Sequence, residues 1–258
     1  MINIRRINNR FQAFFAHLLW SGIIAILALI LVFLVWYPGL LAPATGVNEI
    51  FFIVLGVDVC LGPLLTFVVF NPKKKELRRD LLIIVSLQLA ALIYGLYSVG
   101  IVRPVYVVFE VDRFQLVYAN DLSEEKLQEA LVPEYKTLPL FGPKWISAKF
   151  PENIDERNEF LFSVLDGGDD LGKTPKYYIP YADSQTDIIN KLQPLVNLKD
   201  FNTNKLETYN NLMDKYPSKV SNVGYLPLKG FVVDLTVILD KSTAEVLEIS
   251  ELRPWGDI

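Results

Sequence analysis

Three long apolar stretches constrain this chain more than anything else in it: Leu18 to Trp36, Ile50 to Phe70 and Leu81 to Val102. A helix needs about 20 apolar residues to cross the roughly 30 Å hydrocarbon core of a bilayer. A buried helix of a soluble protein is seldom apolar all round for that length. The reading is therefore of three transmembrane helices. The first is not a cleaved signal: an A-x-A-like site stands at Ala42 and Ala44, but the apolar run exceeds the usual 7 to 15 residues and Pro43 interrupts the site.

Lys and Arg are retained on the cytoplasmic side of short loops, which sets the orientation. Arg5, Arg6 and Arg10 precede the first stretch, and Lys73, Lys74, Lys75, Arg78 and Arg79 lie between the second and third. The loop from Tyr37 to Glu49 has none, and only Arg103 and Arg113 follow closely on the third. This predicts a cytoplasmic N-terminus and an exported C-terminal half. The expected domains are a transmembrane domain, 1–103, and an exported (periplasmic) domain, 104–258.

Charge divides along the same line. From Pro104 onward 16 Lys and Arg stand against 25 Asp and Glu, while the first 103 residues hold 9 against 4. An acidic exported domain speaks against nucleic acid as a partner and against docking on anionic lipid through charge. Cys60, the single cysteine, lies in a span, so the exported domain has no disulfide and its core must suffice.

That domain reads as α+β with a mainly antiparallel sheet. Val105, Val107 and Phe109 alternate with Tyr106, Val108 and Glu110, and Asp112 and Arg113 turn the chain into a partner strand, Phe114 to Tyr118. Ser123 is placed as the N-cap of a helix reaching Leu131. Further helices are expected at Asp155 to Leu165, Asp183 to Leu192 and Thr203 to Lys215. A closing hairpin runs from Val232 through "DKST" into "AEVLEISEL".

Catalytic equipment is thin. No His or Cys follows Cys60, which removes His triads, thiol nucleophiles and His- or Cys-bound zinc from the exported domain. "DGGDD" at Asp166 to Asp170 lacks the ligand spacing of a calcium loop and reads as solvated. An intramembrane aspartyl protease needs two carboxylates, and the spans offer one. No enzyme activity, metal or cofactor is expected.

The one carboxylate in a span is Asp58. Taking Ile50 to Phe70 as the span, Asp58 lies about 3 Å outward of the midpoint, Cys60. On the third helix Tyr94 lies about 4.5 Å outward and Gln88 about 4.5 Å inward of Ala91, so Tyr94 is the better depth match and Gln88 needs helix tilt. Two readings stand side by side: a hydrogen bond that glues two helices, or a contact with a partner's helix. Pro63 frees the Val59 carbonyl beside it, and small residues at Gly56 and Cys60, and at Ala91 and Gly95, allow close helix approach. The candidate partner-binding set is thus Asp58, Gly56, Cys60, Pro63, Tyr94 and Gln88.

At "VDVCLGPLLT", "LQLAALIYGLY" and "RPVYVVFEVDRF" the chain resembles the bacterial type IV pilin accessory proteins, the TfpX/TfpZ family. The resemblance implies an inner-membrane factor, not an enzyme, that promotes stability or assembly of a cognate pilin into pili. Its implied partners are the pilin, the lipid bilayer and other pilus assembly proteins. The alternative is a membrane sensor or transporter subunit with a periplasmic ligand-binding domain, which would need a cytoplasmic partner because this chain has so little cytoplasmic mass.

Overall fold

The computed structural model describes residues 8–217 and 222–256, the side chain of Ile50 excepted. Arg5, Arg6 and Ile258 lie outside the described residues. The chain divides into two compact units: 1–35 with 46–101, and 36–45 with 102–258. The loop between the first two spans thus groups with the C-terminal half.

The first unit contains three of the four helices at the start of the chain. Helix α1 covers Arg10–Ile30 and continues in π-helical form over Leu31–Trp36. Helix α2, Leu41–Thr45, belongs to the second unit, and α3, Val47–Val69, and α4, Leu77–Ile101, return to the first. Asn9 caps α1 by accepting from the Gln12 N–H at 2.8 Å, so helix begins eight residues before the apolar run. Gly46 adopts φ 74°, the left-handed turn that glycine enters without strain, and lets α3 start at once. Helices α1, α3 and α4 are each long and apolar enough to cross a membrane. Helix α3 packs against both neighbours, while α1 and α4 have little direct contact.

In the second unit the strands are β1 (Pro104–Glu110), β2 (Arg113–Tyr118), β3 (Lys144–Ala148), β4 (Tyr178–Pro180), β5 (Val223–Lys229), β6 (Leu235–Asp240) and β7 (Val246–Ser250). The helices are α5 (Glu124–Gln128), α6 (Ile154–Leu165), α7 (Gln185–Lys191), α8 (Leu198–Phe201) and α9 (Leu206–Lys215). They surround one sheet of order β4-β3-β1-β2-β5-β6-β7. The expectation of a mainly antiparallel sheet is corrected: the sheet is mixed, with β3 parallel to β1 and β5 parallel to β2. Hairpins are visible locally, but parallel pairs are made by long crossovers, here the segments carrying α5 and α6–α9.

The local expectations fare unevenly. Ser123 does cap α5, accepting from the Lys126 N–H at 3.3 Å, and Asn153 caps α6 by accepting from the Asp155 and Glu156 N–H groups. The helix expected from Asp183 begins as a tight 3-10 turn, Tyr181–Ser184, and becomes α7 only at Gln185. Strand β6 begins at Leu235, not Val232, because the Asp234 carboxylate accepts from the Gly230 N–H at 3.0 Å and closes a loop over 230–234. The "DKST" turn is held by Asp240, whose carboxylate accepts from the N–H groups of Ser242 and Thr243.

Strand β1 is central and buried on both faces. Val107 and Phe109 join Phe114, Leu226, Leu235 and Ile188 on one side; Tyr106 and Val108 join Ile146, Tyr135 and Tyr178 on the other. Fully burying each such side chain contributes about 1.5–3 kcal/mol. Tyr106, Tyr135 and Tyr178 meet edge to face at 5.5–6.1 Å, and the Tyr178 hydroxyl donates to the Gly172 carbonyl at 2.6 Å. A third cluster gathers Leu198, Tyr209, Leu212, Tyr225 and Ile238 under α8 and α9. Helix α2 contributes Leu41 and Ala44 to the first cluster, so the loop leaving the first span is core, not tether.

Candidate intramembrane site

Asp58, Gly62 and Thr66 follow one another at four-residue spacing on α3 and so share a face. All three are buried; Asp58 is only 8% exposed. Gln88 of α4 donates from Nε2 to the Asp58 carbonyl oxygen at 2.8 Å. It comes this close because Gly62 has no side chain: a β-carbon there would lie 1.8 Å from Gln88 Nε2. One helix turn after Leu92, Gly95 lets Val54 approach in the same way, with Val54 Cγ1 2.7 Å from where a β-carbon would be. Further along the same face of α3, His17 of α1 and Thr66 are hydrogen-bonded, Nδ1 to Oγ1, at 2.6 Å.

These contacts border a cavity of about 470 Å³ between α1 and α4, floored by α3. Its α1 wall includes Ala13, His17, Ser21 and Ile24, and its α4 wall Leu81, Val85, Gln88 and Leu92. One buried acceptor in this lining, Asp58 Oδ2, has no hydrogen-bond donor among the described residues. A buried acceptor left without a donor costs about 1–3 kcal/mol. Beyond Asp58 and Gln88 the lining is mostly apolar, with His17, Ser21, Thr66 and Arg78 as its further polar side chains, and it suits an apolar helix or chain that offers a donor at the depth of Asp58.

The structure separates the residues singled out in the sequence. Asp58 and Gln88 are brought together where α3 meets α4; α3 stays helical through Pro63, and Gln88 reaches the Asp58 carbonyl, not the neighbouring Val59 carbonyl. Tyr94, the better depth match, is 71% exposed and does not bond to Asp58. Depth alone placed it; azimuth decides, since six residues along α4 from Gln88 turn the side chain well away from the α3 contact. Gly56 and Cys60 face outward, and the close helix contacts fall at Gly62 and Gly95 instead. Gly62, Thr66 and the α1 wall were missed by sequence reasoning. Gly62 and Thr66 carry a signal that was there to read, namely their shared spacing with Asp58.

In the second unit the Glu110 carboxylate is half-buried at the end of β1. Burial pushes its pKa up, while the Gly172 N–H, donating to Oε2 at 2.7 Å, pulls the other way. It fastens the Leu171–Lys173 turn to the end of β1. Of the acidic run at 166–170, Asp169 pairs with Lys126 at 2.6 Å.

The family "Fimbrial assembly protein FimB" matches residues 5–39. A fimbrial assembly protein of serogroup I from Dichelobacter nodosus is 34% identical over 88% of this chain and 89% of its own length. That of serogroup E1 is 33% identical over the same shares, and that of serogroups C1 and C2 is 42% identical over 44% of this chain and 88% of its own. No solved structure matches the chain. At this identity over nearly the full length of both chains, the protein belongs to the family of these fimbrial assembly proteins.

Proposed function

We propose that the protein is an inner-membrane accessory factor of type IV pilus biogenesis, of the TfpX/TfpZ kind, that holds a pilin by its membrane helix before assembly. The reading is of a chaperone-like factor without catalytic chemistry. The relatives, named as fimbrial assembly proteins, supply the context. One observation carries the rest: a buried carboxyl oxygen at Asp58, without a donor, in an apolar groove open between α1 and α4.

Inside a bilayer, apolar burial gives little advantage, because lipid is as apolar as leucine; shape and hydrogen bonding decide which helices associate. A client helix in this groove exchanges lipid for fitted side chains and gives Asp58 the donor it lacks. Such hydrogen bonds contribute about 0.6–2 kcal/mol in membranes, enough to select a helix but weak enough to release it to a growing fibre. The exported domain then meets the client's head and supplies discrimination between pilins.

The test is site-specific photo-crosslinking in cells making the cognate pilin, with the probe at Ile24 on α1 and at Leu89 on α4, both lining the groove. Ile53, exposed on α3, is the control. Pilin adducts from Ile24 and Leu89, and not from Ile53, support the reading. No adduct at either, while pili still depend on the protein, leaves only an indirect role.

A further inference from the structure

Two loops of the second unit present large apolar side chains to solvent: Leu140 and Phe141, and Phe231, Val232 and Val233. Phe141 is 76% and Phe231 79% exposed. Neither loop is slack. The Phe231 and Val232 N–H groups both donate to the Ala44 carbonyl, at 3.2 and 2.9 Å. Asp234 holds the loop's other end, accepting from the Gly230 N–H at 3.0 Å and from Trp255 Nε1 at 2.9 Å. A β-carbon on Gly230 would lie 2.1 Å from the Val233 carbonyl oxygen, so the turn admits only glycine. The loop is built to hold three apolar side chains outward.

Both loops are fastened to chain that adjoins a membrane span. Arg103, two residues beyond the end of α4, donates to the Pro139 carbonyl at 3.1 Å and lies over the Trp36 ring at 5.9 Å. Its own carbonyl accepts from the Ala119 N–H at 2.9 Å, and the next ring back, Tyr118, meets Phe231 edge to face at 6.5 Å. Ala44, the acceptor for the second loop, stands three residues before α3. Two or three residues span at most about 7–11 Å. The headgroup layer on each side of the hydrocarbon is about 5–8 Å thick. Trp36 and Arg103 are themselves the pair of residue types that settle in that layer, the ring at headgroup level and the guanidinium reaching for phosphate.

We infer that Leu140, Phe141 and Phe231–Val233 form an apolar rim that inserts into the interfacial layer of the bilayer and seats the exported domain on lipid. The occupant of this surface is lipid because both loops are tied within three residues of span ends and carry no charge at their tips. The domain's acidic balance makes the insertion apolar and independent of anionic headgroups. Seating on lipid is a role separate from pilin handling and does not depend on which client the groove serves.

The test uses the full chain in vesicles of phosphatidylethanolamine and phosphatidylglycerol. Cys60→Ser provides the background for nitroxide labels at Phe231→Cys, at Phe141→Cys and, as control, at Phe162→Cys, which is exposed on α6. Oxygen partitions into lipid and a nickel chelate into water, so their collision rates report immersion. Oxygen collisions are expected to exceed nickel collisions several-fold at 231 and 141, with the order reversed at 162. Water-like values at either rim site overturn the inference, as do lipid-like values at Phe162, since immersion would then not belong to the rim. Phe231→Trp with brominated lipid repeats the measurement without the label, and absence of quenching there counts equally against it. Photo-crosslinking from Phe231 into a pilin, with no lipid adduct, would assign the surface to protein instead.

Discussion

The amide of Gln88 occupies the space that a side chain on Gly62 would fill, and from there donates to the carbonyl of Asp58, four residues earlier on α3. Helices α3 and α4 are therefore held by a polar contact that exists only because one glycine stands opposite it. Thirty-three residues further along the chain from Gly62, Gly95 does the same for the branched side chain of Val54.

The two glycines are expected to differ in cost. Gly62→Ala displaces the end of a flexible amide, loses its hydrogen bond and costs about 0.6–2 kcal/mol. Gly95→Ala meets a β-branched side chain stiff at χ1, so the helices must shift, at about 1–3 kcal/mol. Unfolding of the purified protein in micelles by SDS titration measures both. Gln88→Ala combined with Gly62→Ala should cost less than the two apart, because both remove one contact. Strict additivity would separate Gln88 from Gly62.

Asp58→Leu is expected to accumulate normally and to abolish piliation, because the groove keeps its shape and loses its acceptor. Asp58→Asn keeps an oxygen acceptor and should retain part of the function. Immunoblotting for the protein and electron microscopy of pili read the two quantities. Full piliation with both variants would remove Asp58 from the mechanism.

Glu110 makes stability depend on pH with a defined sign. Burial raises its folded pKa above the ordinary value of 4.5, so between the two values the folded chain holds more protons than the unfolded one. Stability due to this group is present below 4.5 and is lost as pH rises through the folded value. Glu110→Gln keeps an acceptor for the Gly172 N–H and removes the ionisation. The variant's melting temperature should gain on the wild type as pH rises from 4.5 through the folded pKa, then run parallel to it. A difference that does not vary with pH would exclude Glu110 as the source.

A reporter active only outside the cytoplasm, fused after Ile258, should be active, and one fused before Arg5 silent. The basic residues at 73–79, between α3 and α4, carry this expectation. Activity of a cytoplasmic reporter at the C-terminal fusion would reverse the topology.

Length and hydropathy alone determined the three helices long enough to span, because an unbroken apolar run of that size has few other resting places. Alternation and cap chemistry likewise placed β1, β2 and α5, whose determinants sit within a few residues of one another, as Ser123 does beside Lys126. The mixed sheet was beyond such reading, since β3 finds β1 and β5 finds β2 only through long crossovers whose ends carry no local mark. Asp58 declared itself by being charged in an apolar run. Its surroundings did not, because depth along a helix can be counted from sequence while azimuth depends on which faces the helices turn to each other. Tertiary packing therefore decided for Gln88 over Tyr94, put Gly62 in place of Gly56, brought His17 to Thr66, and buried Leu41 and Ala44 in the core of the second unit.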